Sequence, residues 1–199
     1  MKPIVFLGTT NSGKIREFTS YLNTLGVDVQ TPDDLGIVFE PEEVGDSYEV
    51  IALDKARAWS NKSGFPTLVD DSGLSVDALD GAPGIYSKRF FSGSDTDRNH
   101  FLLQKMKDVK PFDRTAFFYC ALAFVDAGNG IEHLTVGKCF GTISDTISGS
   151  AGFGYDPVFI PQGYTQSFAQ LGDEVKAGLS HRGKALELMK PFLQQWIHD

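Results

Sequence analysis

Two adjacent carboxylates, Asp70 and Asp71, are the residues of this 199-residue chain whose position points most directly to chemistry. They follow the apolar run 67–69, which predicts a buried strand, and they precede Ser72 and Gly73. Neighbouring side chains on an extended chain point to opposite faces, so the two acids cannot share one role. We expect the strand to end at these acids, with one of them facing a ligand and the other bracing a turn. A plain Asp-Asp-Ser-Gly turn is the alternative interpretation.

A loop of small polar residues near the N-terminus is the second candidate. The apolar strand Ile4–Leu7 leads into the loop Gly8–Lys14, and a helix pattern follows it. A helix N-terminus presents backbone N–H groups to an anion, and Lys14 adds a full positive charge. The segment matches the first seven positions of a P-loop, but Ile15 stands where a Ser or Thr hydroxyl would bind Mg²⁺. A P-loop NTPase and a plain helix-capping turn therefore stay open as alternatives.

Charged residues near a second predicted helix, at about 47–62, extend the list of candidates. Glu40, Glu42 and Glu43 form an acidic loop just before it, which alone would be a solvated surface run. Lys55 falls on the apolar face of the helix, where an uncompensated ammonium is costly. It either extends its charged end to water or serves as a phosphate ligand.

The last candidates lie in the C-terminal third. Gly152 and Gly154 flank Phe153, which suits a loop whose ring is exposed to a flat ligand. His181 and Arg182 fall in the first turn of a final helix, where positive charge opposes the helix dipole. We expect a role in ligand binding to explain these cations, with a solvated first turn as the alternative.

Composition limits the class of protein. The formal net charge of −8 argues against a broad electrostatic grip on nucleic acid, and no apolar run is long enough to span a bilayer. The two cysteines, Cys120 and Cys139, are expected to be reduced thiols of a cytoplasmic protein. Strands at 115–125 and 131–143 around an Ala-Gly-Asn-Gly turn predict a long antiparallel hairpin.

Taken in order, four of these segments resemble the inosine triphosphate pyrophosphatase family, also called the Ham1 family. They are Thr9-Thr10-Asn11-Ser12-Gly13-Lys14, Asp70-Asp71-Ser72-Gly73-Leu74 with Gly81-Ala82-Pro83-Gly84, Gly152-Phe153-Gly154-Tyr155-Asp156-Pro157, and Ser180-His181-Arg182. The resemblance extends from about residue 5 to residue 185. It implies a single α/β domain over residues 1–199, with an elongated mixed sheet, flanking helices and two lobes around a central cleft. It also implies a homodimer that uses Mg²⁺ to hydrolyse ITP, dITP and XTP to the monophosphate and pyrophosphate.

The resemblance also implies roles for individual residues. Asp71 would be the catalytic base and a metal ligand with Glu42, although Glu43 leaves a one-residue ambiguity. The triphosphate would be bound by Thr9, Thr10, Asn11, Ser12, Gly13, Lys14 and Lys55. Phe153 would stack on the purine, and the remaining substrate contacts would be Ser72, Gly154, Tyr155, Asp156, Lys176, His181 and Arg182.

The chain departs from the family pattern at three positions. Thr10 stands where the family usually has Gly, and Val50 and Ile51 replace a common Glu-Asn pair. None of these is the expected catalytic acid. Two other classes of protein remain as alternatives: a P-loop-like ATPase or kinase that releases the γ-phosphate, and a nucleotide-binding module without turnover.

Overall fold

Six strands and six α-helices form the regular structure of residues 2–198, the part of the chain that the computed structural model describes. The strands are β1 Ile4–Leu7, β2 Asp28–Gln30, β3 Thr67–Val76, β4 Thr115–Asp126, β5 Ile131–Ile143 and β6 Phe159–Pro161. The helices are α1 Ser12–Thr24, α2 Pro32–Leu35, α3 Tyr48–Ser63, α4 Asp95–Lys105, α5 Phe168–Leu179 and α6 His181–His198. No helix within these residues is both long enough and apolar enough to cross a membrane.

The strands form one mixed sheet in the order β2-β1-β3-β4-β5-β6. Strand β1 pairs in parallel with both β2 and β3, whereas β5 and β6 are antiparallel. Strands β4 and β5 are neighbours joined by the tight turn 127–130, which confirms the predicted hairpin. The predicted α/β class, a mixed sheet with flanking helices, is therefore confirmed.

Strand β3 does not end at the two acids, and this prediction from the sequence was wrong. The strand continues through Asp70 and Asp71 as far as Val76. Its parallel pairing with β1 ends at Leu68, opposite Leu7, so the acids lie just past the carboxyl end of β1. The strand can continue because Leu74 and Val76 are fully buried in its second half.

Helix α5 was not predicted from the sequence. The segment 168–179 is helical but contains non-helical backbone at Gly172, which interrupts the apolar periodicity. The four-residue helix α2 follows β2 and is capped by Thr31.

The residues group into two compact units. The first contains the chain up to Asp71, Ala121–Val136 and the residues from Ala185 onward, and the second contains Ser72–Cys120 and Gly137–Lys184. Neither unit is one continuous stretch, and the boundaries fall within β3, β4, β5 and α6. The single domain over residues 1–199 stays a prediction.

Each unit has its own buried core. In the first unit the indole of Trp59 lies against two phenylalanines, with ring centroids 5.3 Å from Phe6 and 5.0 Å from Phe39. In the second unit the ring of Phe118 lies 4.6 Å from that of Phe159, which stacks at 5.4 Å on Phe168. Such aromatic contacts fix the strands and helices that carry the polar residues described below.

The junction of α5 and α6 depends on a close backbone approach at Gly183. Ser180 separates the two helices, and its Oγ accepts a hydrogen bond from the Gly183 amide at 3.0 Å. Ser180 is therefore the N-terminal cap of α6. A Cβ at Gly183 would lie 1.9 Å from the backbone oxygen of Ala177, so only glycine fits without a backbone shift.

We predict that Gly183→Ala destabilises the protein by about 1–3 kcal/mol, because the added methyl group forces the two helices apart. Gly178→Ala is the matched control, since a Cβ there would meet no atom within 4 Å and the site is helical. The control should be neutral or more stable by about 0.5–1 kcal/mol. Urea unfolding measures both changes, and equal stability of the two variants would contradict the packing argument.

Candidate active site

The loop after β1 is held close to the core of the first unit by Gly8. A Cβ on Gly8 would lie 2.6 Å from Trp59 and from Val69, so the backbone passes closer than any other residue would allow. The loop then caps α1, because Oδ1 of Asn11 accepts a hydrogen bond from the Lys14 amide at 3.0 Å. Helix α1 therefore begins at Ser12, earlier than expected, and Lys14 lies in its first turn.

The ammonium of Lys14 is paired with the first acid of β3. Its Nζ lies 2.9 Å from Oδ1 of Asp70, and the Asp70 side chain is fully buried. The same Nζ donates to the Asp70 backbone oxygen at 3.4 Å. An ionised carboxylate buried in this way needs a cation, so Asp70 fixes Lys14 at the carboxyl end of β1.

The second acid, Asp71, belongs to a separate charged group. Nζ of Lys55 lies 3.7 Å from Oδ1 of Asp71 and 2.8 Å from Oε1 of Glu43. The Lys55 side chain is only 15% exposed, so its charge is carried within this group rather than extended into water. The adjacent acids of β3 therefore contact different lysines, as expected for side chains on opposite faces of a strand.

Burial sets the protonation of this group. It raises the pKa of Asp71 from 3.8 to about 6, although nearby Lys55 and Lys14 pull in the other direction. Burial also acts to lower the pKa of Lys55, but the hydrogen bond to Glu43 and the attraction of Asp71 outweigh it, and the pKa is raised. Ionised Asp71 therefore lowers the free energy of unfolding, and a bound cation would reduce this loss.

The acids offer the oxygen ligands that suit a magnesium ion. Mg²⁺ is commonly bound by one or two carboxylates, with phosphates and water completing the shell. Within residues 2–198 no group of three or more Asp, Glu, His or Cys side chains is arranged to hold a metal ion. Asp71 fits as one ligand. Glu42 and Glu43 are both exposed residues of the acidic loop, and Glu43 is the one that shares Lys55 with Asp71.

Two of the three departures from the family pattern, Val50 and Ile51, lie in the first turn of α3, next to the acidic loop. Ile51 is buried and Val50 is 44% exposed. A Cβ added to Gly45 would lie 3.1 Å from each of these side chains. Apolar packing against Gly45 therefore supports the acidic loop where a polar pair was expected. Thr10 is exposed, and nothing in the structure explains the change from Gly.

A second polar group, in the second unit, surrounds Phe153. The Asp156 carboxylate is buried and accepts hydrogen bonds from the Phe153 amide at 2.8 Å and from Lys176 Nζ at 2.6 Å. A Cβ on Gly152 would lie 2.1 Å from the same carboxylate, so glycine is required there. The ammonium of Lys176 lies 4.5 Å from the centre of the Phe153 ring.

Arg182 completes this group. Its guanidinium carbon lies 5.5 Å from the Phe153 ring centre, and NH2 donates to Ser72 Oγ at 3.1 Å. Arg182 is only 2% exposed, so it is held by protein contacts rather than by water. The neighbouring His181 stacks on Phe118 with ring centroids 4.6 Å apart.

The expected site residues thus fall into two groups. Lys14, Lys55 and Asp71 come together in the first unit, and Phe153, Asp156, Lys176, Arg182 and Ser72 in the second. Tyr155 is buried and donates its hydroxyl to the Ser87 backbone oxygen at 2.9 Å, and burial raises its pKa. Thr9 accepts a hydrogen bond from the Asn11 amide at 3.2 Å, and Ser12 and Gly13 open α1.

Two contacts to the Phe153 loop were not predicted from the sequence. Asp95 and Asn99 of α4 hydrogen-bond the backbone of Gly154. No signal distinguishes Asp95 from an ordinary acid in the first turn of a helix, because its partner lies 59 residues further along the chain.

The mixed sheet and the two charged groups define an α/β protein with cations and carboxylates suited to a phosphorylated ligand. The model of the Ham1 family matches residues 5–192. The chain belongs to the Ham1 family, which confirms the resemblance drawn from the sequence.

Similar proteins cover almost the whole chain. A dITP/XTP pyrophosphatase of Leptospira interrogans is 40% identical over an alignment of 198 residues that covers 98% of each chain. A dITP/XTP pyrophosphatase of Shigella flexneri is 41% identical over 193 residues, covering 96% of this chain and 98% of that one. The solved structure of a Ham1 protein from Coxiella burnetii aligns with a TM-score of 0.85 at 32% identity, covering 97% of this chain and 99% of the other.

We predict that Asp71→Asn, measured without divalent cations, is more stable than the parent above pH 6. A carboxyl whose pKa rises from 3.8 to about 6 on folding binds protons more tightly when folded, so its ionised form reduces stability above pH 6. The neutral amide removes this penalty of about 3 kcal/mol, and the advantage vanishes below pH 4.

Urea unfolding at pH 8 and pH 4 provides the test. Asp108→Asn is the control, because it removes a carboxylate that is 90% exposed. Its stability difference from the parent should be small at both pH values. A difference between Asp71→Asn and the parent that is the same at pH 8 and pH 4 would contradict the effect of burial.

Proposed function

We propose that this protein hydrolyses non-canonical purine nucleoside triphosphates, among them dITP, XTP and ITP, to the nucleoside monophosphate and pyrophosphate. The observation that carries the proposal is the charged group of Asp71, Lys55 and Glu43, in which the first two side chains are largely buried, beside the Lys14–Asp70 pair. Two lysines and an acid that is costly to ionise match the needs of a polyphosphate and an attacking water. The similar proteins of Leptospira and Shigella carry the name dITP/XTP pyrophosphatase, which supports the same substrate class.

Charge determines how the first group would act. Lys14, Lys55 and the N-terminus of α1 would bind the triphosphate, with the loop from Thr9 to Gly13 supplying backbone and hydroxyl donors. Asp71 would accept a proton from the water that attacks the α-phosphorus. The new bond joins the water oxygen to phosphorus, and pyrophosphate leaves with the electron pair of the broken anhydride bond.

The acids of this group would hold Mg²⁺ together with the triphosphate. Asp71 would be one metal ligand whether Glu42 or Glu43 is the second. Because Glu43 and Asp71 both contact Lys55, we favour Glu43 as the second ligand. When bound, the ion would offset part of the triphosphate charge. Lys55 would then exchange its contact with Glu43 for a phosphate oxygen.

The second group would bind the base. Phe153 would stack on the purine, while Lys176 and Arg182 lie close enough to its ring to reach the edge of a stacked base. Hypoxanthine and xanthine carry a 6-keto oxygen, which accepts hydrogen bonds from these cations. Adenine has an amino donor there, which would leave the cations without an acceptor and exclude ATP.

The proposal includes a cellular role and an assembly. The enzyme would remove deaminated purine nucleotides from the cytoplasmic pool before a polymerase uses them. We propose a homodimer, which the family resemblance implies. Light scattering coupled to gel filtration should give about twice the chain mass of 21.8 kDa.

We predict that the protein with Mg²⁺ converts ITP to IMP and pyrophosphate and leaves ATP largely intact. Asp71→Asn should lower kcat by at least about a hundredfold, because the amide cannot accept the proton. Asp70→Asn is the matched control. Its amide oxygen still accepts a hydrogen bond from Lys14, so turnover should fall by no more than about tenfold.

Product analysis by ion-exchange chromatography separates the alternatives. Orthophosphate as the first product would indicate cleavage at the γ-phosphate, and binding of ITP without product would indicate a module without catalysis. Either result would overturn the proposed function. Parent-like turnover by Asp71→Asn would remove this residue from the catalytic step.

We predict that Arg182→Ala lowers kcat/KM for ITP by about ten- to two-hundredfold and for ATP much less, because ITP alone offers an acceptor to the guanidinium. Ser72→Ala is the control, since it removes the protein partner of Arg182 and keeps the cation. The ratio of kcat/KM for ITP to that for ATP is the deciding quantity. An unchanged ratio in Arg182→Ala would mean that this residue contacts only phosphate or protein.

A further inference from the structure

The Phe153 loop is held from outside by two side chains of α4. We propose that Asp95 and Asn99 are positioning residues. They hydrogen-bond the N–H and the carbonyl oxygen of Gly154 and so hold the ring of Phe153 in place for the base. The inference rests on the proposed function, because it assigns the loop to the purine. It adds two residues that touch neither the phosphates nor the base.

Asp95 holds the amide of Gly154. Its Oδ2 accepts a hydrogen bond from this N–H at 2.7 Å, a charge-assisted contact. Its Oδ1 is bound by Arg98, and NH1 of Arg98 donates to the Gly93 backbone oxygen at 2.7 Å. The acid is therefore fixed on its own helix before it contacts the loop. Its position in the first turn of α4 is also favourable for a negative charge.

Asn99 holds the other side of the same residue. Its Nδ2 donates to the Gly154 backbone oxygen at 3.0 Å, and the residue is only 2% exposed. Asp95 and Asn99 lie four positions apart, so they are on the same face of α4. Gly154 has a φ of +62°, in the left-handed region, so its conformation also favours glycine.

Together with Asp156, these contacts restrain both residues at the tip of the loop. The Phe153 amide is bound by Asp156, and the Gly154 amide and oxygen are bound from α4. With the backbone held at three points, the ring stays near Lys176 without a ligand. A stacking surface that is already ordered loses less conformational freedom when the base binds.

Hydrogen exchange of the ligand-free protein tests whether Asp95 and Asn99 restrain the Phe153 loop. In Asp95→Ala, and separately in Asn99→Leu, the amides of residues 152–156 should exchange about tenfold faster than in the parent. Asp97→Ala is the matched control, because Asp97 lies in the same turn but binds Ser94 rather than the loop. It should destabilise α4 without a selective effect on residues 152–156. Equal exchange in Asp95→Ala, Asn99→Leu and Asp97→Ala would overturn the inference.

Binding measurements by calorimetry test the consequence for the base. Asp95→Ala should weaken IMP binding about tenfold and leave inorganic tripolyphosphate binding unchanged. In turnover, KM for ITP should rise more than kcat falls. Asp95→Asn keeps an oxygen acceptor for the Gly154 amide but loses the second acceptor, which binds Arg98, so it should recover part of the IMP affinity, whereas a role confined to the charge predicts no recovery.

The outcomes separate this inference from the proposed function. A parent protein that binds neither IMP nor tripolyphosphate would overturn the proposed function and, with it, the assignment of the loop to the base. A parent that binds both, with an Asp95→Ala variant that binds IMP equally well, would overturn the inference alone. Equal losses for IMP and tripolyphosphate would also overturn it, because they would indicate a general loss of structure.

Discussion

The need to neutralise two adjacent buried carboxylates on β3 governs the first unit. Asp70 is fully buried and Asp71 is largely buried, and an ionised acid in such a place is stable only near a cation. Lys14 of α1 meets the first, and Lys55 of α3 meets the second. These two contacts tie both helices to the strand. The same spacing gathers positive charge for a polyphosphate.

The two acids have the same chemistry and different surroundings. Asp70 contacts its lysine at 2.9 Å, whereas Asp71 is 3.7 Å from a lysine that also binds Glu43. The Lys14–Asp70 pair is a direct contact with a fully buried carboxylate, which suits a structural role. The second group is shared among three charges, and its acid has a raised pKa. A group that is costly to ionise and can exchange partners is suited to catalysis, so the roles that we propose for the two acids follow from their environments rather than from residue type.

In the polar group around Phe153, the main constraint is on the backbone conformation of the loop rather than on charge. Gly152 and Gly154 let the loop pass over the buried Asp156 carboxylate and turn toward α4. The result is an aromatic ring with two cations within 6 Å, Lys176 and Arg182. Selectivity would then depend on whether the base offers an acceptor to those cations. A base that carries a hydrogen-bond donor at this position could not make the same contact with the cations.

Local pattern predicted much of the fold, and long-range contacts explain what it could not. The apolar runs at 4–7 and 131–143 predicted β1 and β5 with their observed bounds, because burial on a sheet leaves a direct mark on composition. The continuation of β3 was missed, because Lys14 and Lys55 neutralise its acids from distant parts of the chain. Helix α5 was hidden by Gly172, and the Asp95 contact spans 59 residues. The ordered motifs indicated the candidate site, but not that Glu43 shares Lys55.

The position of water attack tests the central claim most directly. Hydrolysis of ITP in water enriched in oxygen-18, followed by mass spectrometry of the products, shows which phosphorus atom receives the new oxygen. If Asp71 directs water to the α-phosphorus, the label appears in IMP and none appears in pyrophosphate. Label in pyrophosphate or in orthophosphate would contradict the account, because water would then have attacked at the β- or γ-phosphorus.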